Sequence, residues 1–203
     1  MATRRLVRTC GLIGLFGCLV AVVTDVMGWI LVDGYDPISQ TISNLAVGRW
    51  SWLLDLGLYL LATACFATAV GLAARRLGGA SWTFAAAAVA LLGIDVIVVA
   101  AFDEYAGTTN PGADVHSAAV YALGALFALA CLLAVPGLKR LHGSLGRFSL
   151  VVGLAWIVLA PLFFLVPNAW DGAYERFLAL ILLGWLATMA SRVLLRAHDG
   201  ALA

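Results

Sequence analysis

Six long apolar stretches, separated by short polar connectors, run along this chain of 203 residues. A membrane-crossing helix needs roughly 20 consecutive apolar residues, and each stretch meets that length. The pattern predicts an all-α, polytopic membrane protein with six transmembrane helices at about 9–32, 52–74, 82–102, 115–135, 148–166 and 174–195. These spans and their connectors fill a single transmembrane domain over residues 1–203. Pro161 falls inside the fifth helix. It predicts a kink or the end of regular hydrogen bonding there, with a neighbour taking up the freed carbonyl.

The connectors alternate in charge. Arg4, Arg5 and Arg8 precede the first helix, Arg75 and Arg76 follow the second, Lys139, Arg140 and Arg147 follow the fourth, and Arg192 and Arg196 end the sixth. Acidic residues hold the other side: Asp33 and Asp36, then Asp103, Glu104 and Asp114, then Asp171 and Glu175. Only Arg49 and Arg176 are basic on the acidic side. Lys and Arg are retained on the cytoplasmic side of membranes. The expectation is therefore a multi-pass protein of the inner (plasma) membrane with both termini cytoplasmic, N-in and C-in. The first apolar run is basic at its start and long, with no A-x-A-like site after it, so it reads as a retained helix.

Composition narrows the class. The chain is 64% hydrophobic and 11% charged, with a mean hydropathy of +1.03. An average soluble domain is about 25% charged. Membrane lipids are the expected partners, and the basic residues, confined to helix ends, give no footprint for nucleic acid. Cys10, Cys18, Cys65 and Cys131 all lie in apolar spans without a C-x-x-C pair and read as small packing residues. Gly11, Gly14, Gly17 and Cys18 make a small-residue face on the first helix. Such a face suits close helix contact, including a homo-oligomer or a membrane partner.

The outward connector after the first helix is the most structured. Asp36-Pro37 reads as an N-cap with proline in the first turn, and Ile38, Ile42 and Leu45 recur at helical spacing. Residues 37–47 are expected to form a short amphipathic outer helix between helices 1 and 2.

The candidate chemistry lies in the exceptions to the pattern. Asp25 and Asp95 sit inside apolar spans, where a carboxylate costs roughly 2.5–3.5 kcal/mol to insert and faces the bundle interior. Arg176, one turn into the sixth helix, is their natural cation. Either it pairs with Asp25 or Asp95 to fix helix packing, or it takes the carboxylate or phosphate of a ligand. Its neighbour Glu175 points elsewhere, since adjacent helical residues are about 100° apart. His116 opens the fourth helix, and Asp55 lies one turn into the second, where a carboxylate suits the helix dipole. These residues converge on the outer half of the bundle and predict a polar cavity open to the outside. The ligand-binding candidates are Arg176, Asp25, Asp95, His116, Ser43, Asn44 and Asp55. Were the protein an enzyme, His116 with Asp95 or Asp25 would carry the chemistry. No metal and no cofactor is expected, because His142 and His198 lie across the membrane from His116 and a metal site wants three or more protein ligands.

Four stretches carry a resemblance. Tyr35-Asp-Pro-Ile-Ser-Gln-Thr-Ile-Ser-Asn-Leu45 is similar to the Y-[DH]-P-[IL]-S-x-x-[IV]-S-[DN]-L segment of the domain-of-unknown-function family 998 (DUF998). Gly71-Leu-Ala-Ala-Arg-Arg76, Phe102-Asp103 followed by His116, and Gly172-Ala-Tyr-Glu-Arg176 followed by Leu183-Gly184-Trp185 resemble further parts of that family in order and spacing. The resemblance implies six membrane helices and marks Ser39, Ser43, Asn44, Leu45, His116 and Arg176 as motif positions, without implying an activity. A likeness in topology alone extends to the Frag1/DRAM/Sfk1 membrane proteins and to the zinc membrane hydrolases that include alkaline ceramidases. The H-x-x-x-H motif of those hydrolases is absent here. Three functions follow: binding a lipid headgroup or small amphiphile in an outward pocket, a lipid-modifying, hydrolase-like membrane enzyme, or a structural or accessory subunit of a membrane complex.

Overall fold

The computed structural model describes residues 2–195. Arg196 and His198 lie outside the described residues. Six helices long and apolar enough to cross a membrane follow one another: α1 (Ala2–Leu31), α2 (Ser51–Arg75), α3 (Ala80–Phe102), α4 (Gly112–Leu141), α5 (Gly143–Leu162) and α6 (Asp171–Thr188). α6 continues in wider π-type turns over Met189–Leu195. α3, with 23 residues, rises about 35 Å, enough for a hydrocarbon core of about 30 Å. Each helix packs on the next in sequence, and α6 closes the ring against α1.

The helices are apolar on all sides, so side-chain size, not polarity, separates core from rim. On α3, Ala85, Ala88, Val89 and Leu92 are buried while Phe84, Leu91 and Ile94 are exposed. Small residues inside let backbones approach, and large ones outside meet acyl chains. The small-residue face of α1 is spent within the chain. A Cβ on Gly17 would collide with the Leu60 carbonyl of α2, and one on Gly14 would meet Ala190 and Thr68. Gly11 is likewise closed by Leu195 and Ala190. The glycines anticipated as a partner surface therefore seat α1 on its own α2 and α6.

Polar groups within the spans find internal acceptors, as a bilayer requires. Trp82 Nε1 donates to the Leu72 carbonyl at 2.8 Å and Trp156 Nε1 to the Gly124 carbonyl at 2.9 Å. Ser149 Oγ donates to the Cys131 carbonyl and accepts from Trp185 Nε1, tying α4, α5 and α6 together. Pro161 ends α5, which passes into a 3-10 turn at Phe163–Leu165. The Tyr174 hydroxyl of α6 donates to the Leu159 carbonyl in the loosened turn at 2.9 Å. Pro136 does not stop α4, and Ser81 of α3 donates to the Leu133 carbonyl beside it.

One expectation changes in form. Residues 37–47 do not make a continuous helix. A turn over 37–40 leads to a 3-10 helix at Ile42–Ala46. The side chains explain the break. Asp36 accepts from the Ile38 backbone N–H and the Ser39 hydroxyl, closing a turn of its own. Asn44 Oδ1 then accepts from both the N–H and the hydroxyl of Thr41, starting a second turn.

Replacing Gly17 with Val should lower stability by about 1–3 kcal/mol through forced separation of α1 and α2. Gly184→Ala, where an added methyl meets open space, should be neutral or slightly stabilising. Thermal unfolding of the two variants in detergent micelles checks this contrast.

Candidate functional site

Connectors 32–50, 103–111 and 163–170 meet at one end of the ring. The first of them covers that end. Leu45, 3% exposed, sits over Gly28, where a Cβ would stand 2.6 Å from its methyl. Leu45, Ala46 and Leu54 form a small second core with Trp29, Val32, Tyr35 and Ile42 packed around it.

Arg176, 8% exposed, holds this cover in place. Its Nε and one terminal nitrogen bind the two oxygens of Asp25 at 3.1 and 2.9 Å, a bidentate pair between α6 and α1. The other terminal nitrogen donates to the carbonyls of Pro37, Gln40 and Gly172. The Tyr35 hydroxyl also meets the guanidinium, and itself donates toward the Gln40 and Thr41 carbonyls. Burial pushes the Tyr35 phenol up to about 12, despite the pull of Arg176, so it stays a neutral donor. The guanidinium also lies 5.1 Å from the Trp29 ring, whose Nε1 donates to Asp25. Of the two roles open to Arg176, pairing with Asp25 is the one built here. Its donors are spent on protein, which leaves no free cation for an anionic headgroup.

Glu175 points away from Arg176, as helix geometry requires, yet reaches the same connector. Its carboxylate accepts the Ile42 backbone N–H at 2.5 Å. One helical step therefore grips the connector by its carbonyls and by an N–H. Gly172 makes this approach possible, since a Cβ there would collide with the Gln40 carbonyl, and the Ala173 N–H donates to the Ile38 carbonyl at 2.9 Å.

A second cluster lies beside the first. The Ser43 hydroxyl donates to Asp103 Oδ1 at 3.0 Å and stands 3.5 Å from His116 Nε2. The same carboxylate oxygen lies 3.2 Å from His116 Nδ1. Asp103 is 2% exposed and His116 8%. Burial pushes the Asp103 carboxyl up to about 7; the Ser43 hydroxyl pulls it down and the charge of Asp55 pushes it further up.

Both clusters border a cavity of about 730 Å³ walled by all six helices. It is not the polar cavity that the charged residues suggested. Asp25, Ser43, Asp103, His116, Glu175 and Arg176 form its covered end, while Leu61, Val96, Leu123, Trp156 and Leu182 are among its apolar walls. Phe127 packs edge-on against Trp156 of the cavity wall and against Trp185, with ring centroids at 4.6 and 5.7 Å.

The remaining candidates lie outside the cavity lining. Asp95 is buried in α3, outside the cavity wall, and its Oδ2 has no hydrogen-bond partner among the described residues. It does not pair with Asp25, whose partner is Arg176. Asn44 is occupied in capping the 3-10 turn. Asp55 influences Asp103 from α2 without lining the cavity. Asp103 and Tyr35 are the residues that the sequence reading underrated. Both stand within the matched motifs, and that position was the signal.

The model of the family described as "Protein of unknown function (DUF998)" matches residues 15–192. The chain belongs to the DUF998 family. No curated protein and no solved structure matches it. In this DUF998 protein the motif segment 35–45 and the motif Arg176 are one physical unit, the cover and its clamp. Among the described residues no three His, Cys, Asp or Glu side chains gather in a way that could hold a metal ion.

Arg176→Ala should cost about 3–5 kcal/mol, the range for stranding one member of a buried ion pair. Arg176→Lys should recover little, because an ammonium cannot make the bidentate fork. Replacing Arg176 and Asp25 together by Met and Leu should cost less than the sum of the two single changes. Denaturant unfolding in micelles measures each variant.

Proposed function

We propose that this DUF998 protein binds a single-chain, uncharged amphiphile, with its chain in the apolar cavity and its headgroup at the covered end. One observation carries the reading: an apolar cavity within the bundle ends in a compact group of hydrogen-bonding side chains. Its volume lies within the roughly 300–1,000 Å³ of small-molecule sites, which are mostly apolar with a few placed polar groups. The charge at the covered end favours an uncharged headgroup. Arg176 and Asp25 neutralise each other, and Asp103 and Glu175 bring no cation that would welcome a phosphate. Ser43 and His116 offer both donors and acceptors to a hydroxyl or carbonyl.

The alternating connector charges support an orientation in which this end faces outward from the plasma membrane, with both termini in the cytoplasm. A ligand would then enter from the outer leaflet.

Gly124 and Ala128 line the cavity on α4, and a Cβ on Gly124 meets nothing closer than Trp156 Nε1 at 3.9 Å. Gly124→Leu and Ala128→Phe should fill the space and reduce binding of hexadecylglycerol at least tenfold, read by native mass spectrometry from micelles. Equal binding by wild type and both variants would place the amphiphile elsewhere.

A further inference from the structure

We propose that the amphiphile enters the cavity sideways, from among the acyl chains of the membrane, through a gap between α1 and α6 below the Arg176–Asp25 pair. The inference rests on the amphiphile-binding reading and adds to it a route and a selection on the headgroup.

α1 and α6 meet at two levels. At the covered end Asp25 and Arg176 join them. Far below, Gly11 and Gly14 seat α1 on Ala190, in the wider turns that continue α6. From Asp25 down to Gly14 is about 16 Å of helix. Three side chains mark a gap in the upper part of that stretch. Val22 and Val26 of α1 and Leu180 of α6 line the cavity. All three are also exposed on the outside of the ring, Leu180 by 60%. A side chain that borders a cavity and the outside at once stands at an opening between them. Helix geometry agrees, since residues three or four apart share a face. Val22 therefore lies one turn below Asp25, and Leu180 one turn below Arg176, on the edges that the ion pair brings together.

The other sides of the cavity are bridged. Residues 37–40 are held over its end by the guanidinium. Tyr121, Ile157 and Phe164 also line the cavity and are exposed, but there α4 and α5 are tied across. The Trp156 indole donates to the Gly124 carbonyl at 2.9 Å, and the Tyr121 and Phe164 rings lie 5.0 Å apart. The α1–α6 gap is edged by aliphatic side chains, which can part without breaking a hydrogen bond.

This edging sorts headgroups. Passing Val22, Val26 and Leu180 takes the headgroup through an apolar layer. An ionised phosphate costs far more to desolvate there than a hydroxyl or an ester. The route thus admits the uncharged amphiphiles that the covered end accommodates and holds anionic ones back.

The test uses the full chain in lipid nanodiscs and follows exchange of bound hexadecylglycerol for its deuterated form by native mass spectrometry. Val22→Cys with Leu180→Cys puts one thiol on each edge of the gap, while the four native cysteines are buried. A short bis-methanethiosulfonate bridges the two thiols through disulfides that a reductant cleaves. Bridging the loaded protein should trap the ligand and slow its release at least about tenfold, a rise in the exit barrier. Reductant should restore the wild-type rate, and retention of the ligand shows that the cavity is intact. Val22→Trp crowds the same gap without a bridge and should slow uptake and release together, because one barrier enters both rates. The corresponding bridge across α4 and α5, Ala125→Cys with Ile157→Cys, should leave exchange unchanged. Hexadecyl phosphate should load wild type at least about tenfold more slowly than hexadecylglycerol; loading as fast would overturn the selection. Release at the wild-type rate from the α1–α6 bridged protein, unchanged exchange in Val22→Trp, or trapping by the α4–α5 bridge alone would overturn the route and leave the binding reading standing. Wild type that binds no hexadecylglycerol would overturn both.

Discussion

The Arg176–Asp25 pair is the contact on which the functional end of this protein depends. Two charges within apolar helices are costly to desolvate, and their attraction offsets that cost only with close geometry and every remaining donor used. The structure meets both conditions. The guanidinium takes Asp25 in a bidentate fork and directs its other donors to the carbonyls of Pro37, Gln40 and Gly172. A pair that would otherwise only join α1 to α6 thereby also fixes the connector between α1 and α2. Without that clamp, the connector would lose the guanidinium's bonds to the Pro37 and Gln40 carbonyls.

The consequence is two neighbouring side-chain clusters at one end of the ring. Arg176, Asp25, Glu175, Tyr35 and Gly172 position the cover. Ser43 is carried on it and meets Asp103 and His116 from the opposite side of the ring. Below them the helices stand apart around an apolar cavity, while in the other half Trp82, Phe127, Trp185 and Met189 are buried and fill the interior. Small residues bring α1 and α2 into contact at Gly17 and Leu60, so the cavity is not a general looseness of the bundle. It lies beneath the connector.

Much of this was legible in the sequence because a bilayer leaves a chain few options. The six spans follow from apolar length alone, and Arg176 and Asp25 stand out because each breaks the charge pattern. Helix ends were less legible. α1 begins before Thr9, since Arg4, Arg5 and Arg8 are good helix formers that a hydropathy reading counts as connector. α4 passes Pro136, and α3 supplies Ser81 to the Leu133 carbonyl near it, a tertiary contact absent from local sequence. The clamp was half visible: a side-chain partner could be named, but carbonyl acceptors at 37 and 40 have no signature in residue type. The cavity was misjudged as polar because its charged lining is conspicuous and its apolar wall resembles any other helix surface. Asp95 shows the limit of the same signal, since an intramembrane carboxylate marked as part of the site lies outside it.

The account stands on the cavity being occupied by an acyl chain under the clamped connector. A hexadecylglycerol analogue carrying a diazirine in its chain, photolysed with the protein in bilayers and mapped by mass spectrometry, tests that directly. Crosslinks to Val96, Leu123 and Trp156 in the cavity wall are the predicted result, with their loss in Gly124→Leu. Crosslinks confined to outward-facing side chains such as Leu12, Phe16 and Leu154 would contradict it.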